Sequence, residues 1–375
     1  MGRGRIWAEG LGLAGLGGLL FAFPTESLQA AREGVSLCLE LLIPSLFPFF
    51  VLSSLLISTG LAGLCARPLT RWMEPLFGVG GAGAAALVLG LVGGYPAGAR
   101  AVAQLVERGE CSREEAGRLS RFCNNCGPAF FLGAVGVGVF GSQQAGLLLL
   151  GANLLAALLV GFLSARGRPR GAARPAAAPA PALSSLVTEF PGCVQNAFSA
   201  TLGVCAYVIL FSVLTALAEA SGLLPALAGA VAHLFPGERA ATLCRGACIG
   251  FLEISTGTAA LREAATAPAA LPLAAFLLGW GGLSVHCQSL PFWRAAGVRP
   301  GPYLRAKCFQ GLLAAGITAL AAAVLPLPVP AMAALPAPAA PGPVPWAAVA
   351  LLALAGGCWW SLRQKRAGKA GERRV

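Results

Sequence analysis

Three short stretches place helix-breaking glycine and proline beside polar side chains within apolar sequence. They are Gly93-Gly94-Tyr95-Pro96, Asn124-Asn125-Cys126-Gly127-Pro128 and Ser255-Thr256-Gly257. A bilayer offers no water to free N–H and C=O groups, so non-helical backbone at membrane depth is buried in protein or lines a cavity. Helix N-termini that open at such breaks attract anions, and amides and hydroxyls can bind a small polar solute. We therefore predict that these stretches bind substrate; the alternative is that they only hold helices together.

Glu253 is the strongest single candidate for a functional residue, because it lies in the middle of the apolar stretch 241–260. A charge at the centre of a membrane span costs roughly 2.5 kcal/mol or more, and such residues mark functional sites. We predict that Glu253 carries a coupled proton or contacts the substrate directly. The alternative is an ion pair with Arg245 or Arg262.

A further polar group lies in "GGLSVHCQS", residues 281–289, and is predicted to bind substrate as well. Its members are Ser284, His286 and Gln288. A single intramembrane histidine can equally be a packed hydrogen-bonding residue, and the sequence leaves that alternative open.

The sequence contains no pattern typical of a metal site, a redox site or a catalytic site. The spacing of Cys123 and Cys126 lacks a second such pair or a thioredoxin-like context, and the chain has two histidines. No His/Asp/Glu cluster suits a membrane enzyme. We expect no enzymatic activity, no cofactor and no metal. The net charge of +12 lies in clusters without interleaved aromatic residues, so we expect no nucleic-acid partner.

The composition requires a membrane protein. The chain of 375 residues is 57% hydrophobic and 11% charged, against about 25% charged residues in soluble domains. Apolar runs near the ~20 residues of a membrane span occur at 6–23, 36–61, 122–140, 143–164, 199–220, 270–290, 306–328 and 344–362. Two further segments, 78–98 and 241–260, are predicted to be broken or re-entrant. The fold class is an all-α polytopic membrane protein with about eight crossings.

The two halves of the chain resemble each other in layout. "GLVGGYPAGA" (90–99) corresponds to "GFLEISTGTA" (250–259), and "NNCGPAFF" (124–131) to "GGLSVHCQS" (281–289). Such duplication is typical of transporters built from two repeats. Basic termini, the linker and the basic loops 100–121 and 294–307 are all placed in the cytoplasm by the positive-inside rule. Three crossings in each repeat then make the repeats inverted.

Five segments follow from this layout. They are an N-terminal membrane helix and connector (1–35), a first repeat (36–165), a Pro/Ala/Arg cytoplasmic linker (166–184), a second repeat (185–328), and a Pro/Ala segment with the last membrane helix and a basic tail (329–375). Between the first two motifs, Ser112 followed by Glu115 predicts a helix N-cap.

The motifs resemble a known family. "GGYPAGARAVAQLVERGECSREEAGRLSRFCNNCGPAFFLGAVGVGVFG" (93–141) and "WGGLSVHCQSL" (280–290) are similar to the sporulation integral membrane proteins known as YlbJ or SpoVV. That family belongs to the "gate" or nucleoside-recognition group, which is similar to concentrative nucleoside transporters. The resemblance implies transport of dipicolinic acid, a small aromatic dicarboxylate, across the outer forespore membrane of a spore-forming bacterium.

Two alternatives remain beside this reading. The same scaffold could serve a nucleoside or ion symporter, or the protein could be a sporulation scaffold that transports nothing. The expected partners are a small anionic solute such as dipicolinate, membrane lipids, and a coupling proton or sodium ion. The sequence leaves the oligomeric state and the direction of transport open.

Overall fold

The structure is a computed structural model that describes residues 3–166, 184–231 and 239–324. Every regular element in these ranges is helical. The helices are α1 (Arg3–Ala22), α2 (Pro24–Leu37), α3 (Ile43–Ser58), α4 (Leu61–Phe77), α5 (Gly83–Val92), α6 (Ala97–Glu107), α7 (Arg113–Leu119), α8 (Gln143–Ala165), α9 (Leu186–Ala220), α10 (Leu223–Val231), α11 (Ala240–Leu252), α12 (Ile254–Ala260), α13 (Ala270–Trp280), α14 (Gly282–Ala295) and α15 (Pro300–Val324). Two π-helices, Cys38–Leu42 and Phe130–Val137, interrupt this series.

Four stretches are long and apolar enough to cross a membrane. They are Gln143–Ala165, Leu186–Ala220, Ala270–Ala295 and Pro300–Val324. A fifth would be the pair Gly10–Ala22 and Pro24–Leu42, which bends by 94° at its break. The expected eight crossings are therefore not confirmed in the described part of the chain. The predicted last span, 344–362, and nearly all of the linker 166–184 lie outside the described residues.

The predicted span 122–140 is replaced by a break and a short helix. Residues 124–127 have no regular structure, and the π-helix that follows, Phe130–Val137, has eight residues. At about 1.5 Å per residue, such a helix is too short for the ~30 Å hydrocarbon core. Pro128, which lacks a backbone N–H, starts the helical turn directly after the break.

The longest helix, α9, packs against the N-terminal region. Its 35 residues span about 52 Å at 1.5 Å per residue. Gly34 of α2 lies against Ile209, where an added Cβ would come within 3.1 Å of the Ile209 Cα atom. One turn further along, Cys38 contacts the carbonyl of Cys205. The contact moves from residue 34 to residue 38 on one side and from residue 209 back to residue 205 on the other, so the two segments run antiparallel.

Two helical hairpins lie at the segments predicted to be broken or re-entrant, and the first extends beyond residue 98 into the predicted loop 100–121. We call α5 and α6 the first hairpin and α11 and α12 the second hairpin. In a continuous helix Gly90 and Gly98 would lie about 12 Å apart, yet a Cβ on Gly90 would come within 3.1 Å of the Gly98 Cα atom. A Cβ on Gly257 would likewise lie 2.0 Å from the Gly250 Cα atom. The chain therefore folds back on itself in both segments, and missing side chains let the arms touch.

Each hairpin packs on a broken helix. The first hairpin lies on residues 123–127, the first break, where a Cβ on Gly98 would meet the Cys123 carbonyl oxygen at 2.3 Å. The second hairpin contacts α13 and the second break, Gly281–Gly282. Both break glycines have positive φ values, 91° and 76°, which side-chain-bearing residues rarely adopt. The break therefore depends on two consecutive glycines.

The predicted N-cap of α7 is confirmed. The Glu115 backbone N–H donates to the Ser112 hydroxyl at 3.2 Å, and the Ser112 N–H donates to the Glu115 carboxylate at 2.9 Å. The carboxylate also accepts from the Gly80 amide at 2.7 Å. Burial raises the pKa of Glu115, but these hydrogen bonds outweigh burial and hold the pKa below its ordinary value of 4.5.

This arrangement predicts a loss of stability in acid. A carboxyl whose pKa is lowered by folding contributes stability above about pH 4.5 and loses it as the pH falls further. We expect Glu115→Gln to reduce the fall in unfolding temperature between about pH 7 and pH 3.5 in detergent. Glu107→Gln, at an exposed carboxyl ending α6, is the control. Equal acid sensitivity of both variants and the unmodified chain would contradict the prediction.

Candidate functional site

A cavity lies where the tips of the two hairpins meet the first break. Small-molecule sites combine apolar walls with few polar groups, and the residues that line this cavity have that composition. The walls come mainly from α3, α9 and the short helix after the first break. The principal apolar residues are Leu46, Phe49, Phe50, Phe130, Val204 and Val208. The polar side chains are those of Tyr95, Cys126, Glu253, Ser255 and Gln288.

Six of the predicted site residues line this cavity. They are Gly94, Tyr95, Gly127, Glu253, Ser255 and Gln288. Gly94 and Gly127 are in direct backbone contact, since a Cβ on Gly94 would lie 2.9 Å from the Gly127 nitrogen. The Tyr95 hydroxyl is buried and has no hydrogen-bond partner within the described protein. Residues from both halves of the sequence thus converge on one site.

Glu253 connects the arms of the second hairpin. Its side chain is 1% exposed, and its carboxylate accepts from the Thr256 backbone N–H at 2.6 Å and from the Thr256 hydroxyl at 3.0 Å. The glutamate therefore caps α12 itself, and the helix start that we expected to be open at Ser255-Thr256-Gly257 already has an anionic partner.

Both arginines of the ion-pair alternative have other partners. Arg245 pairs instead with Glu219, with N–O distances of 2.8 and 2.9 Å. Arg262 donates to the Gly138 carbonyl at 2.7 Å. Glu253 therefore lies on the cavity wall without an arginine partner among these two, and its neighbours are amide and hydroxyl donors.

The other predicted residues do not line the cavity. Gly257 forms the glycine contact with Gly250, and Ser284 is fully buried in the first turn of α14. The His286 ring lies between those of Trp280 and Tyr303, with centroid distances of 4.4 and 5.2 Å. The remaining predicted residues that do not line the cavity are Pro96, Asn124, Asn125, Pro128 and Thr256.

The two asparagines of the first break fasten neighbouring elements. The Asn124 side chain accepts from the Ala99 N–H of α6 at 3.3 Å and donates to the Ser289 hydroxyl of α14 at 2.9 Å. The Asn125 amide donates to the Phe122 carbonyl at 2.6 Å. The Asn124 oxygen thereby satisfies an N–H in the first turn of α6, which we expected to be open to a ligand.

A buried lysine meets these asparagines, and sequence reasoning missed it. Lys307 is 0% exposed. Its ammonium donates to the Asn124 backbone carbonyl at 2.9 Å, to the Asn125 side-chain oxygen at 3.2 Å and to the Gln310 side-chain oxygen at 2.8 Å. Gln310 also donates to the Asn125 oxygen at 2.9 Å. We call Asn124, Asn125, Lys307 and Gln310 the amide–lysine cluster.

The position of Lys307 corrects the sequence interpretation, which placed it at the end of a basic cytoplasmic loop, 294–307. It lies within α15, whose buried face includes Tyr303 and Gln310. Two signals could have found it: Lys307 and Gln310 are three residues apart, on one helix face, and both are polar within an apolar helix.

The cluster reaches the cavity through Tyr95. The Lys307 ammonium lies 5.5 Å from the centre of the Tyr95 ring, a distance at which a cation is attracted to the face of an aromatic ring. On the same buried face of α15 as Lys307, the Tyr303 hydroxyl lies 2.9 Å from His286 Nδ1. One buried cation and one buried carboxyl group therefore flank the cavity.

Among the described residues, no three His, Cys, Asp or Glu side chains converge as the ligands of a metal ion would. Cys123 and Cys126 are buried and unpaired. Cys123 lies under the first hairpin, while Cys126 lies on the cavity wall.

Comparisons with known proteins find related sequences and a similar fold. A family model described as Gate, nucleoside recognition, matches residues 39–167. The sporulation integral membrane protein YlbJ of Bacillus subtilis (strain 168) is 31% identical over 320 residues, which cover 79% of this chain and 78% of the relative. The solved structure of a variant of the transporter CNTnw, in an outward-facing state, is similar over 87% of this chain and 86% of that one. Its TM-score is 0.54 at 16% identity.

The structural likeness concerns the fold, which is that of a concentrative nucleoside transporter. The chain is an integral membrane protein that belongs to the family of the sporulation integral membrane protein YlbJ.

Proposed function

We propose that this protein transports a small aromatic dicarboxylate, dipicolinate, across the outer forespore membrane of a spore-forming bacterium. The observation that carries the proposal is the cavity at which both hairpin tips meet the first break. In transporters, irregular backbone at the membrane midplane accompanies substrate sites. A transporter-like fold and a sporulation relative support the same conclusion, and we infer no enzymatic role.

The chemistry of the cavity suits a flat ring with carboxylates. Phe49, Phe50 and Phe130 provide apolar walls against which a ring can stack. The unpartnered Tyr95 hydroxyl and the half-buried Gln288 amide can donate to carboxylate oxygens. Lys307, behind Tyr95, has uncharged hydrogen-bond partners, so its positive charge favours an anion nearby.

We assign the coupling step to Glu253. A carboxylate on the cavity wall repels a dianion, and a proton taken up by Glu253 removes that repulsion. Substrate and proton would then bind together and cross together. Sodium is the alternative coupling ion, with Glu253 as its charged ligand.

The paired hairpins suggest how access alternates. The first hairpin packs on its break through Gly90 and Gly98. In the second hairpin, Gly250 and Gly257 bring the two arms together, and the tip at Glu253 packs against Gly282 of the second break. We propose that the halves are inverted repeats and that rocking of one against the other exposes the cavity to each side in turn.

Uptake of labelled dipicolinate into proteoliposomes tests the proposal. Gln288→Ala is expected to lower uptake at least tenfold, since a site built for hydrogen bonding loses one donor. Gln143→Ala, the same change at an exposed residue of α8, is the control.

Glu253→Gln keeps an oxygen for the Thr256 N–H, so we expect normal thermal stability but loss of proton-driven uptake.

Other outcomes would redirect the assignment. Uridine uptake without dipicolinate uptake would favour a nucleoside symporter. Sodium-driven dipicolinate uptake would retain the substrate and replace the coupling ion. If neither solute enters, and the chain with Glu253→Gln still restores spore dipicolinate in a deletion strain, the protein is a scaffold and the proposal fails.

A further inference from the structure

The Lys307 ammonium has the hydrogen-bond geometry of a fully charged group. A –NH₃⁺ group has three donors and no acceptor, whereas a neutral amine has two donors and a lone pair. Lys307 has three oxygen acceptors, at 2.8, 2.9 and 3.2 Å. All three oxygens belong to uncharged amides. The nitrogen therefore occupies a position that suits a monovalent cation.

The surroundings of the nitrogen are those of a cation site rather than an ion pair. The three oxygens come from the first break and from α15, and they converge on one point. Oxygens that carry partial negative charge repel one another at such a point unless a cation lies between them. In membrane transporters, carbonyl oxygens from unwound helices often bind free Na⁺ or H⁺ in this way.

The orientation of Gln310 agrees with a resident cation. Its amide nitrogen donates to the Asn125 oxygen, and its own oxygen faces Lys307. Turning the amide over would bring its N–H donors against the ammonium and its oxygen against that of Asn125. The lysine thus sets the orientation of the cluster.

We propose that Lys307 is a tethered cation, which fills a monovalent cation site at the first break and removes the need for free sodium there. The tether joins α15 to the segment on which the first hairpin packs. It keeps the break assembled at every stage, whereas a diffusible ion would assemble it only when bound. This inference does not depend on which solute the cavity binds.

Removing the tether should expose the cation site. Lys307→Ala leaves the oxygens in place and deletes the atoms of a propylammonium ion. In choline chloride, we expect the full-length variant in detergent to unfold about 5 °C or more below the unmodified chain. Sodium chloride or propylammonium chloride should restore at least half of that loss. The unmodified chain should unfold at the same temperature in all three salts.

Two further variants separate the cation site from a general effect of charge. Lys307→Met fills the space with an uncharged chain, so it should lose stability without recovering in either salt. Arg305→Ala removes a positive charge from the exposed face of the same helix and should respond to neither salt.

Three results would overturn the proposal. The first is a rise in unfolding temperature, when sodium replaces choline, that is as large in the unmodified chain as in Lys307→Ala, because sodium would then act elsewhere than at the vacated site. The second is an equal response of Lys307→Ala and Lys307→Met to the salts. The third is failure of Lys307→Ala to be recovered folded even when it is purified in propylammonium. Because the readout is unfolding and not transport, failure here leaves the dipicolinate assignment to its own test.

Discussion

Gly90→Ala is expected to unfold the first hairpin from its break and to abolish transport. A Cβ at this position would lie 1.6 Å from the Cys123 carbonyl oxygen and 3.1 Å from the Gly98 Cα atom. Both obstacles are backbone, so no side-chain rotation relieves the clash. Overpacking in a core commonly costs about 1–3 kcal/mol, and a collision with two backbone segments should cost at least that.

The matched control is Gly151→Ala, in the middle of α8. A Cβ there meets nothing within 4 Å, and alanine is favoured over glycine in a helix by roughly 0.5–1 kcal/mol. We therefore expect opposite signs: a lower unfolding temperature and no uptake for Gly90→Ala, and an unchanged or higher unfolding temperature for Gly151→Ala. Normal stability and uptake in Gly90→Ala would refute the close packing of hairpin on break.

Asn125→Ala should be the most damaging truncation in the amide–lysine cluster. The change removes the acceptor that Lys307 and Gln310 share and the donor to the Phe122 carbonyl. Hydrogen bonds to charged groups contribute about 1.5–3 kcal/mol and neutral ones about 1 kcal/mol. A loss of about 3 kcal/mol follows, which thermal unfolding in detergent can measure.

A double-mutant cycle with Gln310→Leu checks that the cluster acts as a unit. If Asn125 and Gln310 stabilise Lys307 together, the double variant should lose at least about 0.5 kcal/mol less than the sum of the single losses. Strict additivity would show that the two amides act independently, contrary to the structure.

The cluster changes the meaning of the asparagine motif. Its polar side chains suggested solute contacts, but the amides of Asn124 and Asn125 face α6, α14 and α15. The asparagines hold neighbouring helices together, as the helix-holding interpretation predicts, while Gly127 and Cys126 of the same break line the cavity, where substrate binding stays a prediction.

The sequence by itself determined the class of protein and the places where helices break. A charged fraction of 11% does not permit an ordinary soluble domain. Glycine and proline act on the backbone locally, so Gly94, Pro96 and Gly127 indicated their breaks without knowledge of their neighbours. The break at Gly281–Gly282 was not predicted, because residues 270–290 were read as one continuous span. The α7 cap was predictable for the same reason, since its two residues lie three positions apart.

Only the tertiary structure decided which polar groups meet. Lys307 and Asn125 are 182 residues apart, and no local pattern announces that partnership. A lysine near the start of an apolar helix normally extends its charge to the interface, which is why the sequence placed Lys307 in a loop. In the structure, oxygens of the first break replace water around the ammonium group, and Lys307 can therefore be buried. Glycine and proline determine the backbone conformation at their own positions, whereas the burial of a cation depends on the acceptors that the tertiary structure brings to it.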